Sequence, residues 1–98
     1  MILEIATIDI KAGTNADFEA NLKQAQSVIS QSEGYLSHEF HHCVEQPNRY
    51  ILLIKWTTLE AHTEGFRNSE LFKQWRGFIG SFFDGAPLVQ HYNLKFNS

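Results

Sequence analysis

The sequence predicts an α+β domain in which two strand–helix–strand halves build one four-stranded antiparallel sheet, with the helices on one face. Three observations carry this. Strand-like and helix-like runs succeed one another as β–α–β, β–α–β along 98 residues, in two halves of nearly equal length. Arg49–Trp56 (RYILLIKW) is apolar on both faces and rich in branched and aromatic side chains, as a central strand requires. A chain this short supports one hydrophobic core, hence one domain spanning residues 1–98. No sequence repeat links the two halves, so the repetition is architectural only.

The first strand is read over Met1–Ile10, with Ile2, Ala6, Ile8 and Ile10 on one face and Leu3, Ile5 and Thr7 on the other. Lys11-Ala12-Gly13 is a turn, and Thr14 with Asp17 has the spacing of a capping box. The first helix is expected over residues 15–32, buried along Phe18, Leu22, Ala25 and Ile29, with Gly34 as its left-handed stop. The second strand, 35–45, alternates Leu36, His38, Phe40, His42 and Val44 against Tyr35, Ser37, Glu39, His41 and Cys43. Pro47 cannot donate to a ladder, so Gln46-Pro47-Asn48 turns the chain into the third strand.

Thr57 and Glu60 are spaced as a second capping box for a short helix ending at Phe66. Ser69 then caps a further helix with a wide apolar face: Leu71, Phe72, Trp75, Phe78, Ile79, Phe82 and Phe83. Gly77 and Gly80 within it are expected to permit close approach of another surface. Asp84-Gly85-Ala86-Pro87 stops this helix, and residues 88–96 form the closing strand.

Composition narrows the function classes. Hydrophobic residues make up 43% of the chain and aromatic ones 13%, more than a two-layer domain of this size hides. The surplus points to a ligand pocket and to a second copy covering the bare sheet face, that is, a homodimer. A net charge of −3 argues against nucleic acid as a partner. No apolar run is long enough to span a bilayer, and the N-terminus lacks a basic signal-peptide start, so no membrane partner is expected. The lone Cys43 has no internal disulfide partner, which makes a reducing cytoplasm the expected location. Acids outnumber bases seven to two before Asn48, whereas bases outnumber acids six to four from there on, with all three arginines in that second part. One of them is a candidate partner for an anionic or enolisable ligand.

The segment Tyr50–His62 (YILLIKWTTLEAH), entered through Gly34-Tyr35-Leu36, resembles the signature of the antibiotic biosynthesis monooxygenase family. The stretch Gly65–Phe72, then Trp75-Arg76, the run Ile79–Phe83, and Pro87 with His91-Tyr92 resemble one branch of that family. The resemblance implies a dimeric ferredoxin-like α+β barrel, cytoplasmic and free of bound cofactor, that oxidises a small aromatic, quinol or polyketide-like compound with molecular oxygen as co-substrate. A non-catalytic ligand-binding or stress-related dimer of the same fold is the alternative. Haem degraders of the family carry an Asn on the first strand; Met1–Ile10 contains none.

Cofactor-free oxygenation needs a base, a cation to hold the resulting anion, and a dry aromatic pocket. His62 and His91 are the candidate bases, because imidazole titrates near neutral pH. Arg67, where the two later helices meet, is the candidate anion holder. Phe66, Trp75, Phe78, Phe82 and Phe83 are candidate pocket walls, and His38 and His42 line either the pocket or the dimer seam. His38, His41 and His42 do not make a metal site: on a strand His41 faces away from the other two, which stand about 13 Å apart at about 3.3 Å per residue.

Overall fold

A computed structural model describes residues 1–97. Its elements run β1 (Ile2–Asp9), α1 (Asn15–Ile29), β2 (Tyr35–His42), β3 (Arg49–Trp56), a π-helical turn (Ala61–Phe66), α2 (Glu70–Ile79), a 3₁₀ turn (Gly80–Phe82) and β4 (Leu88–Tyr92). The sheet order is β2-β3-β1-β4 with every pair antiparallel, which is the ferredoxin-like arrangement. Strand alternation sends Ala6, Ile8, Tyr50, Leu52, Ile54 and Trp56 inward against Phe18, Leu22, Ala25 and Ile29 of α1 and Trp75 and Ile79 of α2. These side chains are the core, and each large aliphatic or Phe side chain contributes roughly 1.5–3 kcal/mol by leaving water. The outer face of the sheet keeps Leu3, Ile5, Ile51 and Leu53 half-buried and Leu88 and Tyr92 exposed.

Several local expectations are corrected. Thr14 does not cap α1; its hydroxyl donates to the Lys11 carbonyl at 2.6 Å, closing the preceding turn instead. α1 ends at Ile29, and Gly34 lies beyond a run of turns rather than at the helix stop. In β2 the register shifts between Tyr35 and Ser37, so Leu36 is extruded and Tyr35 joins His38 and Phe40 on the helix-covered face. Thr58, not Thr57, caps the segment after β3, its hydroxyl accepting from Ala61 N–H at 3.1 Å. Ser69 caps α2 as expected, accepting from Phe72 N–H at 3.3 Å. α2 gives way to a tighter turn at Gly80, and β4 pairs only as far as Tyr92.

Two glycines make opposite predictions. Gly34 has φ +87°, and a Cβ there would lie 2.6 Å from Ala61 Cβ, where the chain enters the π-helical turn. Gly34→Ala is therefore expected to lower stability by at least the roughly 1–2 kcal/mol cost of a left-handed residue, measured by urea denaturation. Gly77, expected from the sequence to sit at a close approach, has nothing within 4 Å of its would-be Cβ. There Gly77→Ala should raise stability by about 0.5–1 kcal/mol through helix propensity alone.

Candidate active site

Glu4 occupies the inward register of β1, opposite Ile54 of β3 on one side and His91 of β4 on the other. It is 5% exposed, a carboxyl among core side chains. Trp56, fully buried at the end of β3, donates its indole N–H to Glu4 Oε1 at 2.9 Å. His62 Nε2 lies 3.3 Å from the same oxygen. Both contacts fall on Oε1; among the described residues Oε2 has no hydrogen-bond partner, and Glu4 lines the cavity.

His62 is delivered by the π-helical turn. The wide turn closes with Arg67 N–H donating to the His62 carbonyl at 3.1 Å, a five-residue step that buries His62 and Phe66 against the sheet and leaves Arg67 exposed at the cavity wall. Such turns occur often at functional sites. The His62 ring lies on Trp56, with centroids 5.1 Å apart and planes within 18°. Its Nδ1 is 2.8 Å from His91 Nε2. Glu4, His62 and His91 thus form a continuous polar chain, with Trp56 fixing its inner end.

Burial sets the charge states. It pushes the Glu4 carboxyl up to about 7, against the smaller opposing effects of the Trp56 hydrogen bond and the Arg67 charge. It drives His62 down to about 3, helped by the charges of Arg67 and His91, and it lowers His91 as well. At neutral pH both rings are uncharged and Glu4 is close to half-ionised. His62, the base expected from sequence, has Nδ1 beside His91 and Nε2 beside Glu4, and has little affinity for a second ring proton. Glu4, a weak base at its ordinary pKa, is shifted by burial to where it gains and loses a proton near neutral pH.

The cavity between sheet and helices measures about 360 Å³. Its walls are Ala6, Ile8, Leu52, Ile54, Phe66, Phe72, Trp75, Ile79 and Phe83, with Glu4 and His62 at one side and Arg67 and Arg76 also lining it. Among the described residues neither arginine forms an ion pair or a side-chain hydrogen bond; Arg76 sits 5.2 Å from the Phe83 ring centroid. Arg49, the third, is occupied by Asp9 through contacts of 2.8 and 3.1 Å.

Of the sequence candidates, the structure assembles His62, Arg67, Phe66, Trp75 and Phe83 around this cavity, with His91 joined through His62. Phe82 turns away to pack edge-on against Phe18, and Phe78 packs on the core without lining the cavity. His38 and His42 are also separate. His38 bridges Tyr35 and Gln26 at 2.5 and 2.9 Å, and His42 bonds the Pro47 carbonyl at 2.7 Å while stacking on Tyr50. Both line a different groove, with Glu19 and Lys23. Glu4 was missed by sequence reasoning, as were Arg76 and the polar role of Trp56. The available signal was phase: Glu4 alternates with Ala6, Ile8 and Ile10, so an acid occupied a core position of β1.

The ferredoxin-like sheet thus carries, between itself and the helices, an aromatic cavity with a buried carboxyl and two arginines that have no side-chain partner among the described residues. Residues 1–77 match the antibiotic biosynthesis monooxygenase family, and the chain belongs to it. It is 39% identical over 92 residues to the uncharacterized protein YczJ of Bacillus subtilis (strain 168), covering 94% of this chain and 97% of that one. The crystal structure of a Bordetella bronchiseptica protein that carries the same family name superposes with a TM-score of 0.94 at 36% identity, over 97% of each chain. SnoaB, a cofactor-independent oxygenase from Streptomyces nogalater, shares the fold at 12% identity, with a TM-score of 0.83 over 98% of this chain and 94% of its own. No helix among the described residues is long and apolar enough to cross a membrane.

Proposed function

We propose that the protein is a cofactor-independent monooxygenase acting on a small phenolic or enolisable aromatic compound, and that Glu4 is its base. The observation that carries this reading is the Glu4 carboxyl, held near neutral pKa against an apolar cavity lined by two unpaired arginines. Family membership and the SnoaB fold are consistent with it.

Glu4 Oε2 removes a proton from the substrate hydroxyl or from the carbon beside its carbonyl. The resulting anion is held by Arg67, with Arg76 as a second cation on the same cavity. Aromatic walls that meet edge-on exclude water, so the electron-rich carbanion or phenolate transfers its electrons to O₂ rather than being quenched. For a CH₂ beside an aryl ketone the balance is closed: both hydrogens leave carbon, one oxygen atom becomes the new carbonyl, and the other departs as water. No bound cofactor is needed, because the substrate itself supplies all four electrons that reduce O₂.

The test is oxygen uptake against a panel of anthrones and quinols. Uptake with incorporation of one ¹⁸O atom per product supports the reading, and Arg67→Gln should then raise KM about tenfold by removing a charged partner of the anion. Binding of these compounds without oxygen uptake would instead favour a non-catalytic ligand-binding protein of the same fold.

The homodimer through the outer sheet face belongs to the same proposal. Leu88 and Tyr92 are 58% and 44% exposed there, beside half-buried Ile5, Ile51 and Leu53, an apolar surface of the kind that a second copy covers. Light scattering should return twice the 11.3 kDa chain mass, and Leu53→Glu should return the single-chain mass. A wild-type chain that stays at the single mass at micromolar concentration refutes the dimer.

A further inference from the structure

Glu4 sits at the cavity, buried among core side chains, and must exchange its proton with solvent to reach the ionised form that can act as a base. Among the described residues, two imidazoles in series lead from it away from the cavity. His62 Nε2 faces Glu4 Oε1 at 3.3 Å, and His62 Nδ1 faces His91 Nε2 at 2.8 Å. His91 does not line the cavity; it lies on β4, an edge strand of the sheet, half-exposed, and among the described residues its Nδ1 has no hydrogen-bond partner.

We propose that Glu4, His62 and His91 form a proton relay that connects the cavity to solvent at the sheet edge by a coupled change of tautomer. With Glu4 protonated, its Oε1–H faces bare His62 Nε2, His62 carries its hydrogen on Nδ1 and donates it to bare His91 Nε2, and His91 carries its hydrogen on Nδ1. On discharge the carboxyl hydrogen passes to His62 Nε2, the His62 Nδ1 hydrogen passes to His91 Nε2, and the His91 Nδ1 hydrogen leaves to water. Glu4 is then ionised and both rings carry hydrogen on Nε2; the reverse shift returns a proton from water to Glu4. One proton leaves the carboxyl and one departs at His91, and no imidazolium persists at either ring.

The electrostatics favour this route over a charged one. Facing the chain are Arg67, whose charge opposes a cationic ring at both histidines, and the indole N–H of Trp56, which can only donate and so keeps Oε1 an acceptor. His62 is held flat on Trp56, so each nitrogen keeps one partner throughout. A structural hydrogen-bond chain would need no open end. Here one end opens to the cavity and the other to solvent.

The relay's use in turnover rests on the oxygenase reading, but its existence can be tested without any substrate. Two-bond ¹H–¹⁵N NMR of the labelled protein reads which ring nitrogen of each histidine carries hydrogen. As pH rises through about 7, where Glu4 ionises, His62 and His91 should exchange tautomer together, from hydrogen on Nδ1 to hydrogen on Nε2, with neither ring passing through imidazolium. Glu4→Gln, isosteric and unable to titrate, should abolish the exchange at both rings. An unchanged His91 tautomer across that titration overturns the relay, and so does an exchange that persists in Glu4→Gln. If the tautomers exchange while no oxygen is consumed, the oxygenase reading fails and the relay stands. If oxygen is consumed with fixed tautomers, the relay fails alone.

Discussion

Glu4→Gln is expected to slow oxygen uptake by roughly two to four orders of magnitude, the usual contribution of a positioned general base. The substitution keeps the shape of the side chain and an oxygen for Trp56 N–H, so the loss isolates the missing proton acceptor. The wild-type rate, measured as kcat/KM with an oxygen electrode, should rise with pH through about 7 as Glu4 ionises. The Gln variant should lack that limb. A Gln variant with wild-type turnover would remove Glu4 from the chemistry and return His62 or His91 to consideration.

The same substitution should stabilise the protein above neutral pH, and the sign follows from linkage. Glu4 has its folded pKa raised from 4.5 to about 7, so its favourable contribution is complete below about 4.5 and is lost as pH rises through about 7. His62 has its folded pKa lowered from 6.5 to about 3, so its contribution is present above about 6.5 and is lost as pH falls through about 3. Between about 4.5 and 6.5 the unfolded pair holds one proton, on the histidine, and the folded pair holds one, on the carboxyl. Wild-type stability should therefore be nearly flat with pH across that window, and should fall on either side of it.

At pH 8 the wild type buries an ionised carboxylate. A shift from 4.5 to about 7 corresponds to about 3 kcal/mol at roughly 1.4 kcal/mol per unit. Glu4→Gln removes that cost and is expected to raise the unfolding free energy at pH 8 by about 2–3 kcal/mol, read from urea denaturation. The variant should also lose the flat window: without Glu4 to compensate, its stability climbs from about pH 3 to about 6.5 as His62 alone dictates. Equal stability of the two proteins at pH 8 would show that the carboxylate is already well solvated. A residue that costs stability while supplying the reactive group is what a functional site, as opposed to a core, would hold.

Much of the architecture was legible in the residues. Arg49–Trp56 reads as a two-faced central strand and is the inner strand β3, paired on both sides. The stripe Phe18, Leu22, Ala25, Ile29 is buried as its spacing requires. Boundaries were less legible, because side-chain hydroxyls choose among competing backbone partners: Thr14 bonds back to Lys11, and Thr58 takes the cap expected of Thr57. The bulge that extrudes Leu36 left no compositional mark.

The site divides along the same line. Sequence alone determined the order of strands and helices, the aromatic wall of Phe66, Trp75 and Phe83, and the family, since periodicity and signature are properties of consecutive residues. It also marked His62, His91 and Arg67 as chemical candidates. Folding assigned their roles. Glu4, Trp56, His62 and His91 come from the first, third and last strands and a π-helical turn, and only the antiparallel register places Glu4 beside His91 and under His62. Burial at that meeting point then sets which group can exchange a proton near neutral pH, by lifting a carboxyl to about 7 and lowering an imidazole to about 3. Desolvation is a property of the enclosed site, and no residue carries it along the chain.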